Sequence, residues 1–425
     1  MKVMVIGSGG REHVIIKKLK ENPQIQTIYA LPGNGGIAND AVCVNIGVKD
    51  IDAQVRFAVE NQINYAVVTP DDPLVLGAVD RLTEAGIPCF GPTQRAAMIE
   101  GSKVFAKELM KKYGIPTAEY ETFDNADAAM DYIRAKNRYP VVIKADGLAL
   151  GKGVLICENM QQAADGIKEI MLDKKFGASG NRVVVEEYLS GPEVSVLAFT
   201  DGKTLIPMIS SMDHKRSGDF DTGLNTGGMG TIAPNPYYTK EIAQECVKTI
   251  FLPTVRAMNA EGRTFKGCLY FGLMLTKNGP KVIEYNCRFG DPEAQVVLPL
   301  LNEDLFTIMR AVTDGTLNQT SVTVRNSHAV CVIMASQGYP QSYATGFPIS
   351  MDAQVKDNIF FAGVKSEDGI LKTAGGRVLG VTAVANTAEK AVQSAYEAVE
   401  HIHFENAFFR HDIGAKACAA YKKSE

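Results

Sequence analysis

Residues 140–154 read PVVIKADGLALGKGV. The apolar run Val141 to Ile143 has the length of a buried strand, and Lys144 closes it, so its ammonium emerges at a strand end. Gly147, Gly151 and Gly153 then give a loop free to close over a bound group, with Lys152 as a second cation suited to a polyphosphate. The spacing is not that of a Walker A loop, whose lysine precedes Ser or Thr. Taken alone, the segment also fits a solvated hairpin with a surface lysine.

Downstream, Val183 to Leu189 is an apolar strand ending in Glu186 and Glu187, followed by Glu193. Such a strand end can offer backbone groups to a purine edge and a carboxylate to ribose hydroxyls, or it can simply face water. Later, Val282 to Arg288 alternates so that Glu284, Asn286 and Arg288 share one strand face. Two oxygen donors beside a guanidinium suit a hard cation and a transferring phosphoryl group, though a polar strand face reads the same way. Between them lie Asp213-His214-Lys215-Arg216 and the glycine-rich Asn225 to Gly230, too polar for core. That stretch is a surface loop or part of a polar site.

Upstream, short apolar runs alternate with helical patterns: strands at 2–6, 27–30 and 65–69, helices at 11–21 and 52–61. This order predicts a parallel sheet with loops GSGGRE, PGNGG and TPDDP gathered at the carboxyl ends. GSGGRE at a helix start suits an anion. As a dinucleotide fingerprint it is incomplete: Glu12 stands at the third glycine position, and no acid ends the second strand. A plain tight turn and another phosphate-bearing ligand remain alternatives. From about His328 a third unit is predicted, with strands at 329–334 and 377–385 and a helix over 387–401.

The chain has 425 residues, room for about three domains at ~150 residues each. With 44 basic and 48 acidic residues its net charge is −4, so no global positive field draws it to nucleic acid or an anionic membrane. Eight scattered cysteines without a Cys-x-x-Cys pair read as buried thiols of a reducing compartment. No apolar run reaches the ~18 residues of a membrane span. A cytoplasmic monomer is the expectation.

In this order, a lysine, a glycine-rich lid, an acidic strand and a Glu-x-Asn-x-Arg strand resemble the ATP-grasp superfamily. Within it the chain is similar to the phosphoribosylamine-glycine ligase family, also called glycinamide ribonucleotide synthetases. VIGSGGREH from Val5, EGSK from Glu100, VIKADGLA, NTGGMG, VIEYNCRFGDPE from Val282, TAGGRVLGVTA from Thr373 and RHDIG from Arg410 carry the resemblance over essentially the whole chain. It implies an α/β and α+β multidomain fold: an N-terminal parallel α/β sheet (1–102), a central ATP-grasp unit (103–327) with a mobile lid (about 118–192), and a small C-terminal α/β domain (328–425).

The resemblance also implies an activity: joining glycine to 5-phosphoribosylamine with ATP and Mg²⁺ or Mn²⁺, through a glycyl phosphate, in purine biosynthesis. By similarity, Lys103, Lys144 and the lid's Lys152 contact ATP phosphates. Glu186, Glu187 and Leu189 meet adenine, and Glu193 the ribose. Glu284 and Asn286 hold the metal, and Arg288 braces the γ-phosphate. Gly9, Gly10, Arg11, Glu12 and Asn34 face phosphoribosylamine; Asp213, Lys215, Arg288, Gly290 and Asp291 hold glycine and the amine. Arg288, Lys152 and Asp213 are the expected catalytic groups.

Three departures from the family pattern stand out: Asp71 where a Gly-Pro-Glu sequence is usual, Leu150 for a small alanine, and Gly272 where many ATP-grasp enzymes carry a metal-binding acid. Rival readings are another ATP-grasp carboxylate-amine ligase, a biotin-carboxylase-like enzyme, a nicotinamide-dependent oxidoreductase on the first domain, or an inactive ATP-binding scaffold. The DHKR, NTGGMG and RHDIG segments favour the glycine ligase over the first two. The missing third glycine opposes the oxidoreductase. Intact Lys144, Glu284, Asn286 and Arg288 oppose the scaffold.

Overall fold

Val3 to Ile6 are fully buried, because their strand has helices on both faces. This strand, Lys2–Gly7, is the middle of a five-stranded parallel sheet in the order Val42–Cys43, Thr27–Pro32, Lys2–Gly7, Tyr65–Val68, Cys89–Phe90. The chain turns one way from it to Thr27–Pro32 and the other way to Tyr65–Val68, which makes its carboxyl end the switch point of the sheet. Gly7 has φ +132°, and a Cβ there would lie 2.4 Å from Glu12 Cγ, so only glycine lets the helix Gly10–Lys20 start this close to the strand. The structure is a computed structural model that describes residues 1–149 and 153–424.

Two antiparallel four-stranded sheets follow. The first runs Tyr120–Phe123, Val183–Glu187, Val141–Ala145, Val154–Cys157; the second runs Leu205–Pro207, Glu193–Thr200, Gly267–Thr276, Gly279–Asn286. The first has its own small core, with Ile133, Ile143, Ile167 and Val185 packed between it and the helices Ala126–Lys136 and Met160–Ile167. The second packs Phe271 against both Phe251 and Tyr285. The two sheets thus have separate cores. The helix Met160–Ile167 continues directly as a π-helical turn, Lys168–Leu172.

The last sheet runs Met212–Asp213, Gly230–Ala233, His328–Ser336, Arg377–Ala385, Ile359–Phe361, with Ala407–Phe408 also paired to His328–Ser336. Its first two strands come from the middle of the chain. The polar segments that flank them, 213–218 and 225–230, are thereby tied to the C-terminal unit rather than left loose. The helix Ala388–Val399 covers this sheet with Ala391, Ala395 and Val399.

Arg410 then locks the 216–221 segment. It is 1% exposed, donates through Nε and Nη2 to the two Asp412 oxygens at 2.8 and 2.7 Å, and through Nη1 to Asp221 Oδ1 at 3.0 Å and Arg216 O at 3.1 Å. All eight cysteines are free thiols, six of them buried. Among the described residues, no helix is long and apolar enough to cross a membrane.

Candidate active site

The three units meet around one cleft of about 1070 Å³. On one wall Glu186 sits near the end of the strand Val183–Glu187 and is 5% exposed. A carboxylate this deep in protein needs cations. Lys144 Nζ lies 2.5 Å from Oε1, and Lys107 Nζ 2.5 Å from Oε2. Burial opposes the charge on Glu186, but the two ammonium groups hold it below the usual carboxylate range. Burial likewise lowers Lys107, to about 8, against the pull of Glu186. Lys144 also donates to Ile283 O at 3.0 Å, which bridges the two central sheets across the cleft floor.

Lys103 opens its helix behind the Ser102 cap and donates to Gly147 O at 2.8 Å, at the mouth of the glycine loop. Asp146 secures the same junction: it accepts from Ser102 Oγ at 2.7 Å and Arg182 Nη2 at 2.6 Å. Glu187 accepts from Glu119 N–H at 3.0 Å and pairs with Lys281 at 2.9 Å, while Leu189 lines the cleft beyond it. Leu150, Gly151 and Lys152 lie outside the described residues.

At the other end, Glu284 and Asn286 point into the cleft beside Lys215, whose Nζ lies 3.4 Å from both Glu284 and Glu193. Lys215, with Lys144 and Lys103 further off, pulls Glu284 down to about 2 against burial, so its oxygens stay anionic at any working pH. Gly272 sits opposite Glu284, and a Cβ there would stand 2.9 Å from Glu284 Cγ; a side chain at 272 would displace the acid. Two oxygen donors on one strand face suit Mg²⁺ or Mn²⁺, which complete their shell with phosphate oxygens and water. Among the described residues no group of three or more His, Cys, Asp or Glu is arranged to hold a metal ion by itself.

Arg288 Nη2 lies 3.0 Å from Glu100 Oε1, and its Nη1 donates to Phe289 O at 3.2 Å. Opposite stand Asp213 and Glu293. Glu293 is 4% exposed and accepts from Tyr270 Oη at 3.0 Å. Burial and the nearby Glu293 charge raise Asp213 well above the usual carboxylate range. Small residues make this corner possible: a Cβ on Gly290 would lie 2.3 Å from Glu293 Oε2, and one on Gly228 2.8 Å from Asp213 Oδ1. Arg377 pairs with Asp291 at 3.3 Å and donates to the carbonyls of Gly227 and Asp291 at 2.7 and 2.8 Å.

The first loop is more self-contained. Glu12 accepts from Gly9 N–H at 2.6 Å and pairs with Arg11 at 2.5 Å, capping its own helix. Asn34 donates to Ser8 O and Phe361 O and accepts from Gly36 and Ile37 N–H, all within 3.0 Å. A Cβ on Gly10 would stand 2.6 Å from Gln295 Nε2. Arg11 and Asp71 line the cleft itself, whereas Gly9, Gly10, Glu12, Asn34 and Gly290, expected to face substrate, are not among its lining residues.

Lys107, Glu100, Glu293 and Arg377 are prominent here and were not singled out from sequence. Lys107 had a signal: it follows Lys103 by four residues, on the same helix face.

Comparison with known proteins agrees with this architecture. Models of the phosphoribosylglycinamide synthetase N domain, ATP-grasp domain and C domain match residues 1–100, 101–294 and 329–416. Proteins named phosphoribosylamine–glycine ligase from Clostridium acetobutylicum and Vibrio cholerae are each 45% identical, over 97% and 99% of this chain and 99% of their own. The crystal structure of a protein of that name from Thermotoga maritima superposes with a TM-score of 0.85 at 34% identity, covering 97% of this chain and 100% of that one. Biotin carboxylase from Campylobacter jejuni shares the fold alone, at 14% identity over 98% of this chain and 94% of its own, with a TM-score of 0.75. With three family domains matched in order along a chain whose cleft is lined by Lys103, Lys144, Glu284 and Asn286, this protein belongs to the phosphoribosylglycinamide synthetase family.

Proposed function

We propose that the chain joins glycine to 5-phosphoribosylamine with ATP, giving glycinamide ribonucleotide, ADP and phosphate, as a small-molecule step of purine biosynthesis. The observation that supports it most is the convergence of Lys103, Lys144, Glu284, Asn286 and Arg288 on one cleft that all three units close. The chemistry starts from a poor electrophile. A glycine carboxylate oxygen attacks the γ-phosphorus, ADP leaves, and glycyl phosphate forms. The amine of phosphoribosylamine then attacks the carbonyl carbon, loses a proton, and expels phosphate. Positioning and charge neutralisation by the protein carry most of the rate.

In this reading Lys103, Lys144 and Lys152 hold the phosphates, Glu186, Glu187 and Leu189 the adenine side, and Glu193 the ribose. Glu284 and Asn286 would hold Mg²⁺ or Mn²⁺, which would supply charge neutralisation for phosphoryl transfer. Arg288 steadies the transferred group. Asp213, Lys215, Gly290 and Asp291 place glycine and the amine, and the loop of Gly9, Gly10, Arg11 and Glu12 with Asn34 forms the phosphoribosylamine side. Residues 1–102 act as the substrate domain, 103–327 as the ATP-grasp unit with its lid at about 118–192, and 328–425 as a cap. The protein works as a monomer in the cytoplasm.

The test is ADP release assayed with freshly made phosphoribosylamine, and with glycine labelled with ¹⁸O in its carboxylate. Release that needs both substrates, with label transferred into inorganic phosphate, is the expected result. ATP turnover indifferent to glycine would sink the assignment.

A further inference from the structure

Glu100 comes from the end of the helix Gln94–Gly101, ahead of the ATP-grasp unit, and reaches the cleft floor 8% exposed. Its two oxygens have different partners. Oε1 faces Arg288 Nη2 at 3.0 Å, and Oε2 accepts the Cys287 N–H at 2.7 Å. The strand ladder ends one residue earlier, at Asn286 opposite Tyr270, so the Cys287 N–H has no strand partner and Glu100 supplies the acceptor. One buried carboxylate therefore fixes the backbone between Asn286 and Arg288 and the direction of the Arg288 guanidinium. Arg288 Nε is buried without a protein acceptor, which leaves a donor for a ligand.

We propose that Glu100 is a positioning residue for phosphoryl transfer, holding Arg288 so that its remaining N–H groups meet the transferred group. The inference rests on the reading of Arg288 as the γ-phosphate brace. An unrestrained arginine samples many rotamers, and each reacting geometry must first select one. Glu100 makes that selection before ATP arrives. It also partly neutralises Arg288, a guanidinium on which the Asp71 carboxylate acts as well.

The test uses the full-length chain. Glu100→Gln keeps an acceptor for Cys287 and removes the charge that orients Arg288. Misplacement of this order costs about 10- to 100-fold in kcat, with the KM for ATP unchanged. Glu100→Asp, one methylene shorter, falls between Gln and wild type and carries the test if Gln fails to melt cooperatively. In an Arg288→Lys background the penalty of Glu100→Gln shrinks, because both changes remove one device. If Arg288→Lys is as fast as wild type, the reading of Arg288 itself fails. If Arg288→Lys is slow but Glu100→Gln is not, or the two penalties multiply independently, the positioning role of Glu100 is overturned.

Discussion

Lys107 Nζ lies 2.5 Å from Glu186 Oε2, on the opposite oxygen from the one Lys144 holds. The pair is almost closed to water, with side chains 3% and 5% exposed. Removing Lys107 therefore leaves a buried carboxylate with one cation instead of two. Lys144 is then drawn fully onto Glu186 and, in the proposed reading, away from phosphate. Lys107→Met is expected to lower stability by about 3 kcal/mol, the low end for breaking a buried pair because half of it survives. The KM for ATP should rise about 10-fold, a loss of about 1.4 kcal/mol in binding. Urea denaturation and ATP saturation curves measure the two effects, and an unchanged KM would separate Lys107 from the nucleotide.

The pH dependence of stability should carry the signature of His214. Burial, with the Arg410 charge behind it, lowers this histidine from 6.5 to about 4. Its Nε2 accepts the Gly414 N–H at 3.3 Å, so the ring is neutral with the proton on Nδ1, facing Gly230 O at 3.2 Å. The unfolded chain takes up a proton near pH 6.5 and the folded chain resists until about 4. Stability is thus full above about pH 6.5 and falls as pH drops toward 4, by on the order of 3 kcal/mol in total. Buried His13, also lowered, acts in the same direction. Unfolding free energies between about pH 4.5 and 7.5 should show this slope, and His214→Gln should flatten part of it.

Much of this architecture is readable from local pattern. The strands Gly267–Thr276 and Arg377–Ala385 announce themselves as long apolar runs, and the chain alternation before residue 90 dictates a parallel sheet. What escapes is set by pairing at a distance. Met212–Asp213 is two residues long and finds its sheet only through Gly230–Ala233, which in turn pairs with His328–Ser336 about a hundred residues on. Asn34 is legible as a polar loop residue, yet nothing local says that all its amide groups bond inside the protein. Glu100 looks like a helix-surface acid until residue 288 is folded beside it.

The contact between the first unit and the C-terminal one is tight enough to test with a single methyl group. Gly36 has φ −84°, an ordinary value, so alanine meets no backbone strain there. A Cβ would, however, lie 2.1 Å from Phe361 Cγ, and Phe361 also stacks on His13 at 5.6 Å. Gly36→Ala is expected to cost about 1–3 kcal/mol as overpacking. Because Asn34 spans the same seam, the KM for phosphoribosylamine should rise while that for ATP holds. A variant with normal kinetics and stability would show that the two units do not meet as described.

Arg377 offers the sharpest separation between nucleotide and acceptor chemistry. Its strand belongs to the C-terminal sheet, but its Nη1 reaches Gly227 O, Asp291 O and Gly228 O at 2.7, 2.8 and 3.3 Å. Nη2 meets the Asp291 carboxylate at 3.3 Å. One planar guanidinium thus joins the 225–230 loop to the 289–293 turn, a span that the compact ammonium of lysine cannot reproduce. Arg377→Lys should therefore let the two loops part at the corner that holds Asp213 and Glu293. The KM values for glycine and phosphoribosylamine are expected to rise about 10-fold each, about 1.4 kcal/mol. ADP binding, measured by calorimetry, should not change, because Lys103, Lys144 and Glu186 make no contact with Arg377. Parallel loss of ADP and glycine affinity would mean that Arg377 supports the whole cleft rather than its acceptor end.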